Sequence, residues 1–106
     1  MLYGAVTRGT TPKHEFELPF PASFVKDLRI TYSQKGNVIF SRTLDDCQLV
    51  DNILSIQLTQ EDTFQLSHNK LLEIEIRALL IDGQVVSGGE PIKLKVIDTI
   101  NNEVLE

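Results

Sequence analysis

The residues of this chain whose types could do chemistry are two histidines, one cysteine, a few serines and three carboxylate pairs. His14 stands between Lys13 and Glu15, and His68 stands in a polar stretch. Neither has a Cys, His or carboxylate partner at metal-ligand spacing, so both are expected at the surface. Cys47 is the only cysteine, which rules out an internal disulfide and a cysteine metal cage, and a packed or half-buried thiol is expected. Ser41, Ser55 and Ser67 lack the glycine-flanked elbow of a hydrolase nucleophile. Ser67 and His68 are adjacent in sequence, which by itself makes no triad.

The acidic pairs are Asp45-Asp46, Glu61-Asp62 and Glu73/Glu75. A glycosidase would set two such acids across a cleft. Loop solvation, helix capping and an outward strand face explain the three pairs without a cleft. Asp45, Asp46 and Asp51 could gather on a calcium ion, but the EF-hand spacing is absent. Gly88-Gly89 and Arg8-Gly9 match no phosphate loop. The chain is therefore expected not to be an enzyme, with no catalytic, cofactor-binding or metal-binding residue.

The elements that carry these residues read as strands. The chain has 106 residues, 42% of them hydrophobic, which suits one domain spanning residues 1–106. Period-2 alternation dominates. Lys13 to Leu18 puts Phe16 and Leu18 on one face, then stops at Pro19-Phe20-Pro21. Residues Ala22 to Asp27 suit a helical turn capped by Ser23. Leu28 to Gln34 and Val38 to Leu44 suit a hairpin. A three-residue loop at Lys35-Gly36-Asn37, with Asn37 left-handed, would set Tyr32 against Phe40 and Leu28 against Leu44.

Cys47 to Val50 and Ile53 to Leu58 suit two strands around an Asp51-Asn52 turn. Thr59 capping and Asp62 answering three residues on mark a short helix. Leu71 to Leu80 alternates most clearly. Asp82-Gly83 suits a two-residue turn, and the return runs through Val85-Val86 to Ile92, Leu94 and Val96. A straight register would set Leu72 against Lys93, so a bulge or break is expected at Gly88-Gly89, which sets Glu73 against Lys93. Phe16, Phe20, Phe24, Tyr32, Phe40 and Phe64 read as core. The fold class expected is all-β: an immunoglobulin- or fibronectin-like β-sandwich of about seven short antiparallel strands with one short helical turn. A small barrel is the alternative.

The net charge of −5 disfavours nucleic acid, and no apolar run approaches a membrane span. Residues 1–42 carry net +3 and residues 43–106 net −8. This split would allow attraction between opposite ends of two copies. The start of the chain shows no basic region or long apolar run, so folding in a bacterial cytoplasm is expected. Three residues stand out for partner binding. Leu2 and Tyr3 open a short apolar piece, Leu2 to Thr7, that could add to a neighbour's sheet edge or pair within its own sheet. Phe20, between two prolines, could anchor a partner. Asn101 to Glu106 suits a mobile tail.

Six pieces in order carry a resemblance: Arg8-Gly9-Thr10-Thr11-Pro12, Phe16-Glu17-Leu18-Pro19-Phe20, Thr31-Tyr32-Ser33-Gln34, Leu58-Thr59-Gln60-Glu61-Asp62-Thr63, Ile74-Glu75-Ile76-Arg77 and Asn102-Glu103-Val104-Leu105. Together they resemble a family of small proteins encoded in tailed-phage and prophage structural regions of Gram-positive (Firmicutes) gut bacteria. The resemblance implies a structural or accessory protein of a tail or baseplate, incorporated in a phage particle. It assigns no residue a catalytic or binding role. The partners expected are other virion or prophage proteins, or the chain itself as a homo-oligomer. A carbohydrate-binding adhesion module is the alternative, and the absence of Trp and the scarcity of Tyr weigh against it.

Overall fold

The computed structural model describes residues 4–106. Nine strands are present among them: β1 (Ala5–Thr7), β2 (Lys13–Glu17), β3 (Val25–Gln34), β4 (Asn37–Thr43), β5 (Gln48–Val50), β6 (Ile53–Gln57), β7 (Leu72–Leu80), β8 (Val85–Ser87) and β9 (Ile92–Ile97). One α-helical turn, α1 (Gln60–Phe64), and 3-10 turns over Ala22–Phe24 and Leu44–Asp46 complete the described elements. The strands form two sheets. The larger runs β1-β9-β7-β3-β4, with β8 also on β7, and the smaller runs β2-β6-β5.

The core follows from the alternation. Leu28, Ile30 and Tyr32 of β3 point inward with Leu72, Ile74, Ile76 and Ala78 of β7 and Leu94 and Val96 of β9. They meet Phe16, Leu18, Leu54, Ile56 and Leu58 from the smaller sheet in one continuous apolar cluster. Each such side chain, fully buried, stabilises the fold by roughly 1.5–3 kcal/mol. The all-β class holds. The strands number nine rather than about seven, three helical turns replace one, and β1 pairs with β9 in parallel rather than antiparallel.

The hairpins depart from the expected loop lengths. Tyr32 does face Phe40, but the β3–β4 turn is two residues long, because Gln34 pairs with Asn37. Lys35 and Gly36 take the positive φ angles of 49° and 78°, and Asn37 does not. A register shift after Tyr32 supplies the missing residue and restores apolar against apolar. Leu44 leaves the ladder for a 3-10 turn, so it has no cross-strand partner in Leu28.

The β7–β8 loop is longer than expected. The Leu80 N–H donates to the Gln84 carbonyl, which makes Ile81-Asp82-Gly83 a three-residue loop. The return strand then breaks across Gly88 to Pro91, and Glu73 resumes opposite Lys93 as expected. The Gly88 N–H bonds the Ile76 carbonyl, and an added Cβ there would lie 2.9 Å from Ile76 atoms. Backbone proximity, not only turn chemistry, calls for glycine at that place.

Three further expectations are corrected. Residues 22–24 form a 3-10 turn without a side-chain cap, and β3 already begins at Val25. The tail is tied down: the Leu105 N–H donates to Gln60 Oε1, and Gln60 Nε2 donates to the Leu105 carbonyl. The charge split does not create two poles, because β2 and β3 from the basic half lie beside β6 and β7 from the acidic half. No helix among the described residues is long and apolar enough to cross a membrane.

Candidate functional site: an apolar end and a pinned end

The strands carry the chain between two ends of the domain. One end collects Pro19-Phe20-Pro21, the 3-10 turn, the Asp51-Asn52 turn and the Ile81-Asp82-Gly83 loop. Backbone bonds hold these pieces together. The Leu18 N–H donates to Asn52, that of Ala22 to Asp51 and that of Ile81 to Phe24. Asn52 Nδ2 donates to the Leu18 carbonyl at 3.2 Å. Prolines stop β2 here and leave two positions without donors, so the segment turns across the end rather than continuing the ladder.

This end exposes apolar side chains. Phe24 is 52% exposed and Ile81 68%, while Val50 and Val85 are exposed on the outer faces of the smaller and the larger sheet. Exposed single apolar residues need no explanation, but an exposed aromatic beside an exposed isoleucine on bonded loops suits an interaction surface. A groove of about 530 Å³ lies alongside, lined by Glu17 to Pro21 with Asp51 and Asn52. Phe20, expected as an anchor, is half-buried and packs against the core, so its ring forms the base of this surface. Phe24, expected in the core, is the exposed aromatic. Leu2 and Tyr3 lie outside the described residues, while Ala5 to Thr7 of the same piece pair within the chain's own sheet.

Polar side chains tie down the loops of the opposite end, which also leaves Val38, Leu71, Ile97, Ile100 and Leu105 exposed. Gln34 is 2% exposed and fully engaged. Its amide nitrogen donates to the Ser67 and Lys70 carbonyls at 2.8 and 3.1 Å, and its oxygen accepts from the Ser67 N–H at 2.9 Å. Thr63 Oγ1 accepts from Gly9 N and donates to the Thr10 carbonyl. Arg8 bonds Asp98 and the Phe64 carbonyl while its guanidinium lies 5.5 Å from the Phe64 ring. That guanidinium holds the exposed Asp98 carboxyl below the usual carboxylate range. His68 is exposed as expected, 3.4 Å from the same carboxylate.

His14 is not at the surface: it is 3% exposed. Its Nδ1 lies 2.8 Å from the Tyr32 hydroxyl, and the two rings stack. The stack continues through Phe40, whose centroid is 4.6 Å from that of Tyr32, to the Arg42 guanidinium above it. Arg42 then pairs with the buried Asp62. Asp62 also accepts from the Thr59 N–H, and Thr59 Oγ1 accepts from the Asp62 N–H, which closes the capping box read from sequence. Burial pushes the His14 pKa down to about 4 and raises that of the Tyr32 hydroxyl. This chain of groups holds β2, β3, β4 and α1 together.

The remaining reactive types are dispersed. Cys47 is half-buried as expected, and its thiol is pushed up to about 11 by burial, which makes it a poor nucleophile. Asp46 accepts from the Thr43 N–H as the cap of its own turn. Asp51 turns the β5–β6 hairpin at the apolar end with φ of 58°. Among the described residues no group of three or more His, Cys, Asp or Glu side chains is placed to hold a metal ion. Comparison with known proteins finds no matching family model, no matching curated protein and no matching solved structure.

Proposed function

We propose that this chain is a non-enzymatic interaction module of a phage or prophage assembly, associated with a tail or baseplate and docking through its apolar end on another structural protein of the particle. The observation that carries the interaction reading is the exposure of Phe24 and Ile81 side by side on two loops joined by the Ile81 N–H to Phe24 carbonyl bond. An aromatic beside an aliphatic neighbour, with Asp51 and Asp82 in the adjoining turns, suits an interface with an apolar centre and polar surroundings. The phage setting rests on the resemblance of the six sequence pieces.

The fold reading belongs to the same proposal. Taking β2 as the second strand of an immunoglobulin-like sandwich, the smaller sheet reads B-E-D and the larger reads G-F-C-C′, in the order of that architecture. Such sandwiches present binding surfaces at their ends, which suits an interaction module. The carbohydrate reading gains less. Among the described aromatics only Phe24 is exposed, and a sugar platform needs more than one open ring beside polar partners.

The test is co-purification with the structural proteins encoded beside this chain, followed by the mass of the complex in solution. A defined complex, lost on Phe24→Ser with Ile81→Ser, is the expected result. A strictly monomeric protein that binds none of them sinks the proposal. A monomer that instead responds on a glycan array would move the reading to the adhesion class.

A further inference from the structure

A second surface, resting on different observations, lies along the free side of β2. In the immunoglobulin-like order a first strand sits beside the second. Here β1 lies on β9 instead, and among the described residues β2 pairs only with β6. The ladder fixes which groups are left over. Leu18 N–H donates to Asn52 and Leu58 N–H donates to Pro12, so Pro12, His14, Phe16 and Leu18 direct their backbone groups toward β6. By antiparallel alternation the N–H and C=O groups of Lys13, Glu15 and Glu17 point the other way, to the open side.

Beside this edge runs a groove of about 170 Å³ between the two sheets. Its floor is Phe16, Ile74, Ile76 and Ile92, and the strand break at Gly88-Gly89 forms its far wall. The volume is below that of an ordinary small-molecule site but suits a side chain reaching in from an added strand. All the charged residues that line it are acidic: Glu15, Glu17 and Glu90.

We infer that β2 accepts an extended segment of a partner protein as a further strand, with apolar side chains alternating with Lys or Arg. Every second side chain of such a strand drops into the groove, and the others lie beside Glu15 and Glu17 on the outer face. The inference takes the protein nature of the partner from the interaction-module reading, but not its location, which is the β2 edge rather than the apolar end.

The probe is a synthetic peptide alternating Val and Lys, titrated into isotope-labelled full-length protein and followed by amide shifts and amide exchange. Binding should shift Glu15, Glu17, Gly88 and Gly89 and slow exchange of the Glu15 and Glu17 amides. A Val/Glu peptide should bind on the order of tenfold more weakly or worse. Glu15→Pro removes an open-edge donor without touching a β2–β6 backbone bond, losing only the Ser55 hydroxyl contact to the Glu15 carboxylate, and should abolish binding. Should that variant lose its fold, Glu15→Lys with Glu17→Lys should reverse the preference between the two peptides. Saturating Val/Lys peptide with no change at these amides, or changes centred elsewhere, would overturn the inference. So would binding that appears only after deletion of residues 1–3, which would give the edge to the chain's own terminus. Such a failure leaves the apolar-end complex untouched, so the two readings are separable.

Discussion

The two ends of this domain are finished in different ways. At the pinned end, Gln34, Thr63, Arg8, Arg42 and Asp62 satisfy loop backbone and each other. At the apolar end, backbone bonds with the Asn52 and Asp82 side chains hold the loops, and Phe24 and Ile81 stay open to solvent, as Val38, Leu71 and Ile100 do at the pinned end. The difference teaches where stability and function separate. Polar closure commits an end to folding, because each group removed leaves a partner buried and unpaired. Open apolar residues add little to the folding of the isolated domain and leave surface for association.

The largest expected effect lies at the pinned end. Asp62→Ala leaves Arg42 without its partner and removes half the α1 capping box, and should destabilise by about 3 kcal/mol in urea titration. Acid should do nearly as much through one residue. His14 binds its proton at 6.5 in the unfolded chain and only at about 4 when buried. Its contribution is therefore complete above pH 6.5 and is lost as pH falls through 4, by about 3 kcal/mol in all. His14→Phe should flatten that part of the stability profile, measured by urea midpoints across pH.

Gly9→Ala comes next. An added Cβ would lie 2.7 Å from the Phe64 ring at a backbone φ of 82°, so a loss of about 2 kcal/mol is expected in thermal unfolding. Lys35→Asn should go the other way. Its left-handed φ of 49° ahead of Gly36 suits Asn-Gly, and a gain of about 0.5 kcal/mol is expected in the same measurement. The smallest change in stability should come from the apolar end, where Phe24→Ser with Ile81→Ser should stay within about 0.5 kcal/mol per site.

Much of this contrast was open to reading in the sequence, though unevenly. The alternation in Leu28 to Gln34 and Leu71 to Leu80 placed the core strands, and Thr59 with Asp62 placed α1. His14 was misplaced although its parity agrees with Phe16 and Leu18. A histidine among charged neighbours looks exposed until the strand's period is applied to it. Thr43 and Asp46 repeat the Thr59–Asp62 spacing and mark the second capped turn in the same way. The loop lengths were not legible. Nothing in Lys35 announces a positive φ, and Ile81 joins the turn because its N–H is drawn to the Phe24 carbonyl, a contact distant in sequence. Phe24 looked like core by type alone. Its exposure follows from the 3-10 turn that ends where β3 begins, which composition does not encode.

In the reading proposed above, the apolar end docks on a neighbouring structural protein while the pinned end serves the fold. Sedimentation of the complex with Phe24→Ser/Ile81→Ser, set beside the urea stability of the same variant, tests it most directly. An intact, normally stable domain that no longer sediments with its partner is the expected result. A variant that still assembles fully, or one that loses the partner only because it has unfolded, would contradict it.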